Sequence, residues 1–324
     1  MSLCGRGRIL SDIMFERILS LYTKYFAIWV VAFGVVAYLF PMPFRTLRPG
    51  MDWFFAATMF GIGAALEPDD FKRIVRKPAN VLVGMGVQYI VVPAGAYAVV
   101  KAFQLEPAIA VGVILTASAP GAMSSSVMNY IAKADVAYSV SLTTVSTLIA
   151  PVVTPGLTYI LAKSVLKVPF WPMLIDVLWM VIGPLLVGFG VRCYFRNKVE
   201  KILPVFPAIS ATFIIFICSL VIALNKQYLG KVTGLVLAAG LVLNVFGMVA
   251  GYVVAWIFRM DVRQRRTLSI EGGMQNAGLG TVLALQHFGE RAAMPAAIFV
   301  FLCIITASMM AAIWQRQPTD KLGL

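Results

Sequence analysis

Of the fourteen acidic residues in the chain, one stands where lipid rather than water is the expected solvent. Glu271 falls inside a long apolar segment, in the run Glu271-Gly272-Gly273-Met274-Gln275-Asn276-Ala277-Gly278. Asp52 and Asp176 lie near the ends of apolar runs, and the other acidic residues sit in loops, termini or their margins. A charge at membrane depth costs at least about 2.5 kcal/mol on insertion scales and is a functional candidate by default. The neighbouring glycines permit an unwound stretch whose freed carbonyls can turn toward a cation. A carboxylate, the Gln275 amide and backbone carbonyls are oxygen ligands of the kind that suits a small hard cation such as sodium. No Lys or Arg is expected in a neighbouring apolar segment to neutralise Glu271, which leaves a bound cation, a proton or a hydrogen-bond network.

A second group of oxygens lies earlier in the chain. After Pro120-Gly121 come Ser124, Ser125, Ser126 and then Asn129, followed by Ser139, Thr143, Thr144, Ser146 and Thr147. At helical spacing Ser139, Thr143 and Ser146 or Thr147 share one face, and Gln88 adds an amide in another apolar segment. Hydroxyl stripes also serve as glue between membrane helices, and a protonated glutamate can do the same, so the structural alternative is a polar seam without an ion. Periodicity does not bring these groups into contact.

The elements that must position them are membrane helices. The chain has 324 residues, 60% hydrophobic and 13% charged, with a mean hydropathy of +0.87, whereas soluble chains carry about 25% charged residues. That excludes a cytosolic enzyme, a nucleic-acid-binding domain and a secreted disulfide scaffold. Ten apolar segments are expected to cross the bilayer, at 24–40, 51–66, 79–101, 107–132, 135–161, 171–193, 204–224, 230–258, 265–287 and 293–315, all helical because open strands leave backbone groups unsatisfied in lipid. The fold class is all-α and polytopic. Ten spans divide into two five-helix repeats, about 24–161 and about 171–315, and an odd number per half makes the second inverted. The fourth span is interrupted at Pro120-Gly121 and the ninth at Glu271-Gly272-Gly273. Gln88 precedes Ala94-Gly95 by six residues in the third span, as Asn244 precedes Ala250-Gly251 in the eighth. Paired interruptions of this kind point to a transporter binding site.

The net charge of +13 has a topological reading. Nineteen of the 27 Lys and Arg residues fall on the side that carries both termini and eight on the other, so both termini are expected in the cytoplasm. The basic N-terminal stretch, without a small-residue cleavage site, reads as leading into a retained first span in the cytoplasmic membrane. Cys4, Cys193, Cys218 and Cys303 show no ligand spacing, and His287 is the sole histidine, so neither a multi-histidine metal site nor an intramembrane enzyme with a metal or paired carboxylates is expected.

The runs Pro120-Gly121-Ala122-Met123-Ser124-Ser125-Ser126-Val127-Met128, Ser139-Val140, Thr143-Thr144-Val145-Ser146-Thr147-Leu148 and Glu271-Gly272-Gly273-Met274-Gln275-Asn276 resemble the bile acid:sodium symporter family over roughly residues 50–310. The resemblance implies a single transporter domain with core and panel subdomains interleaved in sequence, and fourth and ninth helices broken where they cross. It implies a first sodium site at Ser125, Ser126, Ser139, Thr143 and Glu271, and a second at Gln88, Glu271, Gly272, Met274 and Gln275, the glycine and methionine through their carbonyls. Asn276 and the backbone at Gly121, Ala122, Met123 and Ser124 would face the anionic group of the substrate. This chain departs from the pattern at Ser126, where many relatives carry asparagine. It also reads Pro-Gly-Ala for Pro-Gly-Gly, and Phe301-Leu302-Cys303 where several relatives have Trp-His-Asn. The implied function is a sodium-coupled symporter, not an enzyme, importing an organic anion by alternating access. That anion is bile-acid-like or a small carboxylate such as pantoate or a keto acid. Sodium would be the coupling ion, with no other cofactor and no requirement for an oligomer. The alternative on the same fold is a proton-coupled carrier or antiporter with Glu271 as the proton carrier.

Overall fold

The computed structural model describes residues 25–69, 78–122, 124–203 and 205–317, together with Leu19, Tyr22 and Ile74. Among these residues every regular element is a helix, as an apolar chain in lipid requires of its backbone. Each of the ten apolar segments is helical, but among the described residues six helices are long and apolar enough to cross a bilayer: Pro78–Ala102, Val136–Ala162, Phe170–Tyr194, Val205–Leu224, Gly234–Ile257 and Glu290–Gln315. The other four segments fall short for visible reasons. Phe26–Leu39 and Met51–Ala65 have 14 and 15 residues. The segment at 107–132 divides into Pro107–Ser118 and Ser125–Ile131, and that at 265–287 into Val262–Gly273 and Ala277–His287.

The chain gathers into two compact units. One comprises residues up to Leu66 with Gly183–Ala223, the other Glu67–Ile182 with Leu224 onward. In the first, Met51–Ala65 and Gly183–Tyr194 lie backbone to backbone. A Cβ on Gly63 would meet the Leu185 carbonyl oxygen at 2.0 Å, and one on Gly188 the Phe60 oxygen at 2.1 Å. Phe55 packs against Phe213 and Phe54 against Phe216, each pair tilted with centroids 5.4 Å apart.

The second unit holds the polar interior. Three side chains set its helix starts by accepting from otherwise unpaired first-turn amides: Asp135 from Tyr138 N at 3.0 Å, Asp261 from Gln264 N at 2.9 Å and Asn276 from Leu279 N at 3.0 Å. Between Pro78–Gly86 and Val92–Ala102 the chain makes a π turn over Val87–Val91, a wide turn frequent at functional sites, and Gln88 stands in it.

Two expectations are corrected. The ninth segment does not unwind at Glu271-Gly272-Gly273. All three remain helical, and the chain extends at Met274 (φ −116°, ψ 100°), because the Asn276 cap starts the next helix directly after it. The stretch 259–266, whose four basic residues belong to the nineteen on the side of both termini, is also partly helix. Val262–Gly273 begins within it and buries Arg266, so a buried cation does exist five residues before Glu271. The Arg266 Nη1 donates to the carbonyl oxygens of Ala132 and Trp314, both at 3.2 Å, and the guanidinium lies 5.9 Å from the Trp314 ring centroid. Arg192, another of those nineteen, is likewise buried.

Candidate functional site

The two broken segments meet at their gaps. Asn276 N donates to Pro120 O at 2.7 Å and Ala122 N to Met274 O at 3.0 Å, so Gly121 and Gln275 pair as an isolated antiparallel bridge. Each interruption thereby satisfies backbone groups that the other exposes, which apolar surroundings demand. Gly121 allows the approach: a Cβ there would sit 2.9 Å from Glu271 Oε2.

Around this bridge the side chains converge on Glu271, itself 2% exposed. Its Oε1 accepts from Ser125 Oγ and Ser139 Oγ, each at 2.5 Å, and from Asn129 Nδ2 at 3.3 Å. Its Oε2 accepts from Thr143 Oγ1 at 3.4 Å. Three helices contribute. Ser125–Ile131 brings Ser125 and Asn129, four residues apart and so on one face. Val136–Ala162 brings Ser139 and Thr143 at the same spacing, and Val262–Gly273 brings the carboxylate. Hydroxyls that now donate to the carboxylate can rotate and present lone pairs to a cation, so the same cluster can hold either a proton or a positive ion.

Of the residues expected in the first sodium site, Ser125, Ser139, Thr143 and Glu271 are thus together. Ser126 occupies the next position round its helix and is half-buried. The second expected group also assembles. Gln88 Nε2 donates to Gln275 Oε1 and, at 3.0 Å, to Ala119 O, while Gln275 Nε2 donates to Gly272 O at 3.3 Å. The Met274 carbonyl is engaged in the bridge.

The expected substrate residues are less uniform. Asn276 is half-buried, and with its oxygen used as a helix cap, the amide nitrogen is what it can offer an anion. The amides of Gly121 and Ala122 already donate to Ser146 Oγ (3.3 Å) and Met274 O. Ser124 is exposed, and Met123 lies outside the described residues.

Sequence reasoning left three participants without a role. Asn129 was visible as a polar residue one turn after Ser125. Tyr89 donates through its hydroxyl to Ser146 O at 2.7 Å, and nothing in its aromatic character announced that. Asn244 donates to Gly273 O at 2.7 Å, and its spacing to Gly251 was the signal.

Among the described residues every regular element is a helix and six helices are suited to crossing a bilayer; with a buried carboxylate ringed by hydroxyls where two broken helices meet, this defines a polytopic membrane protein with a polar centre. The model of the Sodium Bile acid symporter family matches residues 54–232, and the chain belongs to that family. It is 38% identical over 296 residues to the uncharacterized sodium-dependent transporter YocS of Bacillus subtilis (strain 168), covering 91% of this chain and 92% of that one. To the probable sodium/metabolite cotransporter BASS1, chloroplastic, of Arabidopsis thaliana it is 35% identical over 301 residues, covering 92% and 75%. To the protein of the same name in Oryza sativa subsp. japonica it is 31% identical over 304 residues, covering 92% and 74%. The family is one of membrane transporters, not of enzymes.

Proposed function

We propose that the protein is a sodium-coupled symporter that imports an organic anion by alternating access. The observation that carries the reading is the convergence of Ser125, Ser139, Thr143 and Asn129 on the buried carboxylate of Glu271. This cluster is rich in oxygen, and the buried guanidinium of Arg266 turns its Nη1 to the main-chain carbonyls of Ala132 and Trp314. The relatives named as sodium-dependent or as sodium/metabolite cotransporters support the same ion. In this reading Ser125, Ser126, Ser139, Thr143 and Glu271 form a first sodium site. Gln88, Glu271, Gly272, Met274 and Gln275 form a second, and Glu271 links them. Sodium entering down a membrane potential releases about 2.3 kcal/mol per charge per 100 mV, and a second ion roughly doubles that.

The substrate is a bile-acid-like or small carboxylate, met by the Asn276 amide nitrogen with Ser124 and the neighbouring backbone at Gly121, Ala122 and Met123. The fold is read as ten transmembrane helices in two inverted repeats. The paired contacts Gln88 to Ala119 and Asn244 to Gly273 support it, each an amide from one helix donating to the last carbonyls before a break. The unit containing Glu271 is assigned as core and the other as panel, with both termini on the cytoplasmic side of the cell membrane.

Thermal unfolding across sodium, with potassium holding ionic strength constant, tests the ion. A ligand at 100 times its Kd adds about 2.7 kcal/mol to the folded state, so the wild-type midpoint rises with sodium and that of Glu271→Ala does not. A wild-type midpoint blind to sodium but dependent on pH replaces this reading with proton coupling at Glu271.

A further inference from the structure

The side chain of Asn129 is fully buried, and its Oδ1 has no hydrogen-bond partner even though it stands in the most polar part of the interior. Leaving an amide oxygen unpaired in such a place forfeits the solvation it had in water with nothing in return. Rotating the amide does not relieve it. The oxygen and nitrogen of an asparagine exchange places by a half-turn, and the exchanged oxygen would face Glu271 Oε1 at the 3.3 Å now spanned by Nδ2. Two oxygens at that separation, one of them on a carboxylate, repel unless something positive lies between them. In either orientation the amide oxygen of Asn129 lacks a positive partner, and the same amide group reaches the carboxylate that the reading above places on sodium.

We propose that Asn129 is itself a sodium ligand, completing the first site through its side-chain oxygen. Three features fit. It shares a helix face with Ser125, whose hydroxyl touches the same Glu271 oxygen. An amide oxygen is a neutral hard donor that adds a ligand without a second negative charge. Its neighbour Ser126, which the family resemblance puts in this site, carries only a short hydroxyl on a half-buried position. Asn129 thus supplies an amide oxygen from one turn further along the helix. The role goes beyond anchoring Glu271, since a pure anchor needs only the Nδ2 donor and leaves the oxygen without a use.

The proposal rests on the sodium reading, and the test separates the two. The full-length protein in detergent is titrated with sodium against potassium at constant ionic strength, following the unfolding midpoint, for wild type, Asn129→Leu and Asn129→Asp. Leucine keeps the volume and removes the oxygen; aspartate keeps oxygen and removes the donor. The expected result is an apparent sodium Kd at least tenfold weaker in Asn129→Leu and, in Asn129→Asp, equal to or tighter than wild type. If Asn129→Leu binds sodium within twofold of wild type, or Asn129→Asp weakens as much as Asn129→Leu, the residue is an anchor and the proposal is overturned while sodium coupling stands. If the wild type itself is blind to sodium, both fall together. Should Asn129→Leu not fold in potassium, Asn129→Thr takes its place. Its shorter single oxygen is expected to weaken sodium at least threefold relative to Asn129→Asp, and equality of the two overturns the proposal.

Discussion

Replacing Gly247 by alanine should disturb the proposed sodium site from the outside. Gly247 lies on Leu229–Ile257, where that helix presses against Val262–Gly273. A Cβ at 247 would lie 2.1 Å from the Gly272 carbonyl oxygen and 2.8 Å from its carbon. Non-bonded atoms settle near 3.5 Å, so the helices must part by roughly 1 Å locally, and a gap of that size forfeits a quarter to a half of each dispersion contact it opens. The contact has little give, because Gly251 and Gly272 also seat against backbone on the same interface: a Cβ on Gly251 would lie 2.2 Å from Leu268 O and one on Gly272 2.4 Å from Gly247 O. Overpacking of this kind costs about 1–3 kcal/mol. The displaced carbonyl belongs to the residue after Glu271 and accepts from Gln275, so sodium binding should suffer as well as stability, by about tenfold for each 1.4 kcal/mol that falls on the bound state. Thermal unfolding in potassium and in sodium measures both losses. Gly234→Ala is the matched control on the same helix, since its Cβ would meet nothing within 4 Å. It should be neutral or gain up to about 1 kcal/mol from helix propensity. Equal midpoints for Gly247→Ala and wild type, or equal losses for the two variants, would refute the argument.

Arg266→Ala removes the guanidinium that holds the Ala132 and Trp314 carbonyls. Hydrogen bonds to a charged group contribute about 1.5–3 kcal/mol each, so a loss on the order of 3 kcal/mol is expected in denaturant unfolding, with Arg266→Lys recovering part of it. A change below about 0.5 kcal/mol, the scale of ordinary surface substitutions, would mean that this buried cation holds nothing together. Cysteine accessibility gives a simpler check on the packing. Cys193 is exposed, whereas Cys218 and Cys303 are buried. A membrane-permeant maleimide should therefore label a variant retaining only Cys193 quickly, and variants retaining only Cys218 or Cys303 only after denaturation. Rapid native labelling at Cys303 would contradict the packing of the last helix.

Much of this molecule follows from sequence because lipid simplifies the rules. A backbone in hydrocarbon must satisfy itself, so apolar runs such as 135–161 and 293–315 become helices, observed as Val136–Ala162 and Glu290–Gln315. A lone interior carboxylate also marks Glu271 without any structure. Pro120-Gly121 located the first interruption correctly, since proline and glycine act on their own backbone. The second was misplaced by three residues, because what ends the helix is the Asn276 cap and the bridge to Gly121, and that partner lies about 150 residues away in the chain. The tertiary structure alone brought Ser125, Asn129, Ser139 and Thr143 onto one carboxyl group, and left the Asn129 oxygen unpaired. It also buried Arg266, where no cation was expected near Glu271. Spacing along one helix reports which side chains share a face, but which face meets which is decided by close glycine contacts between helices, such as Gly247 on Gly272, that no local pattern encodes.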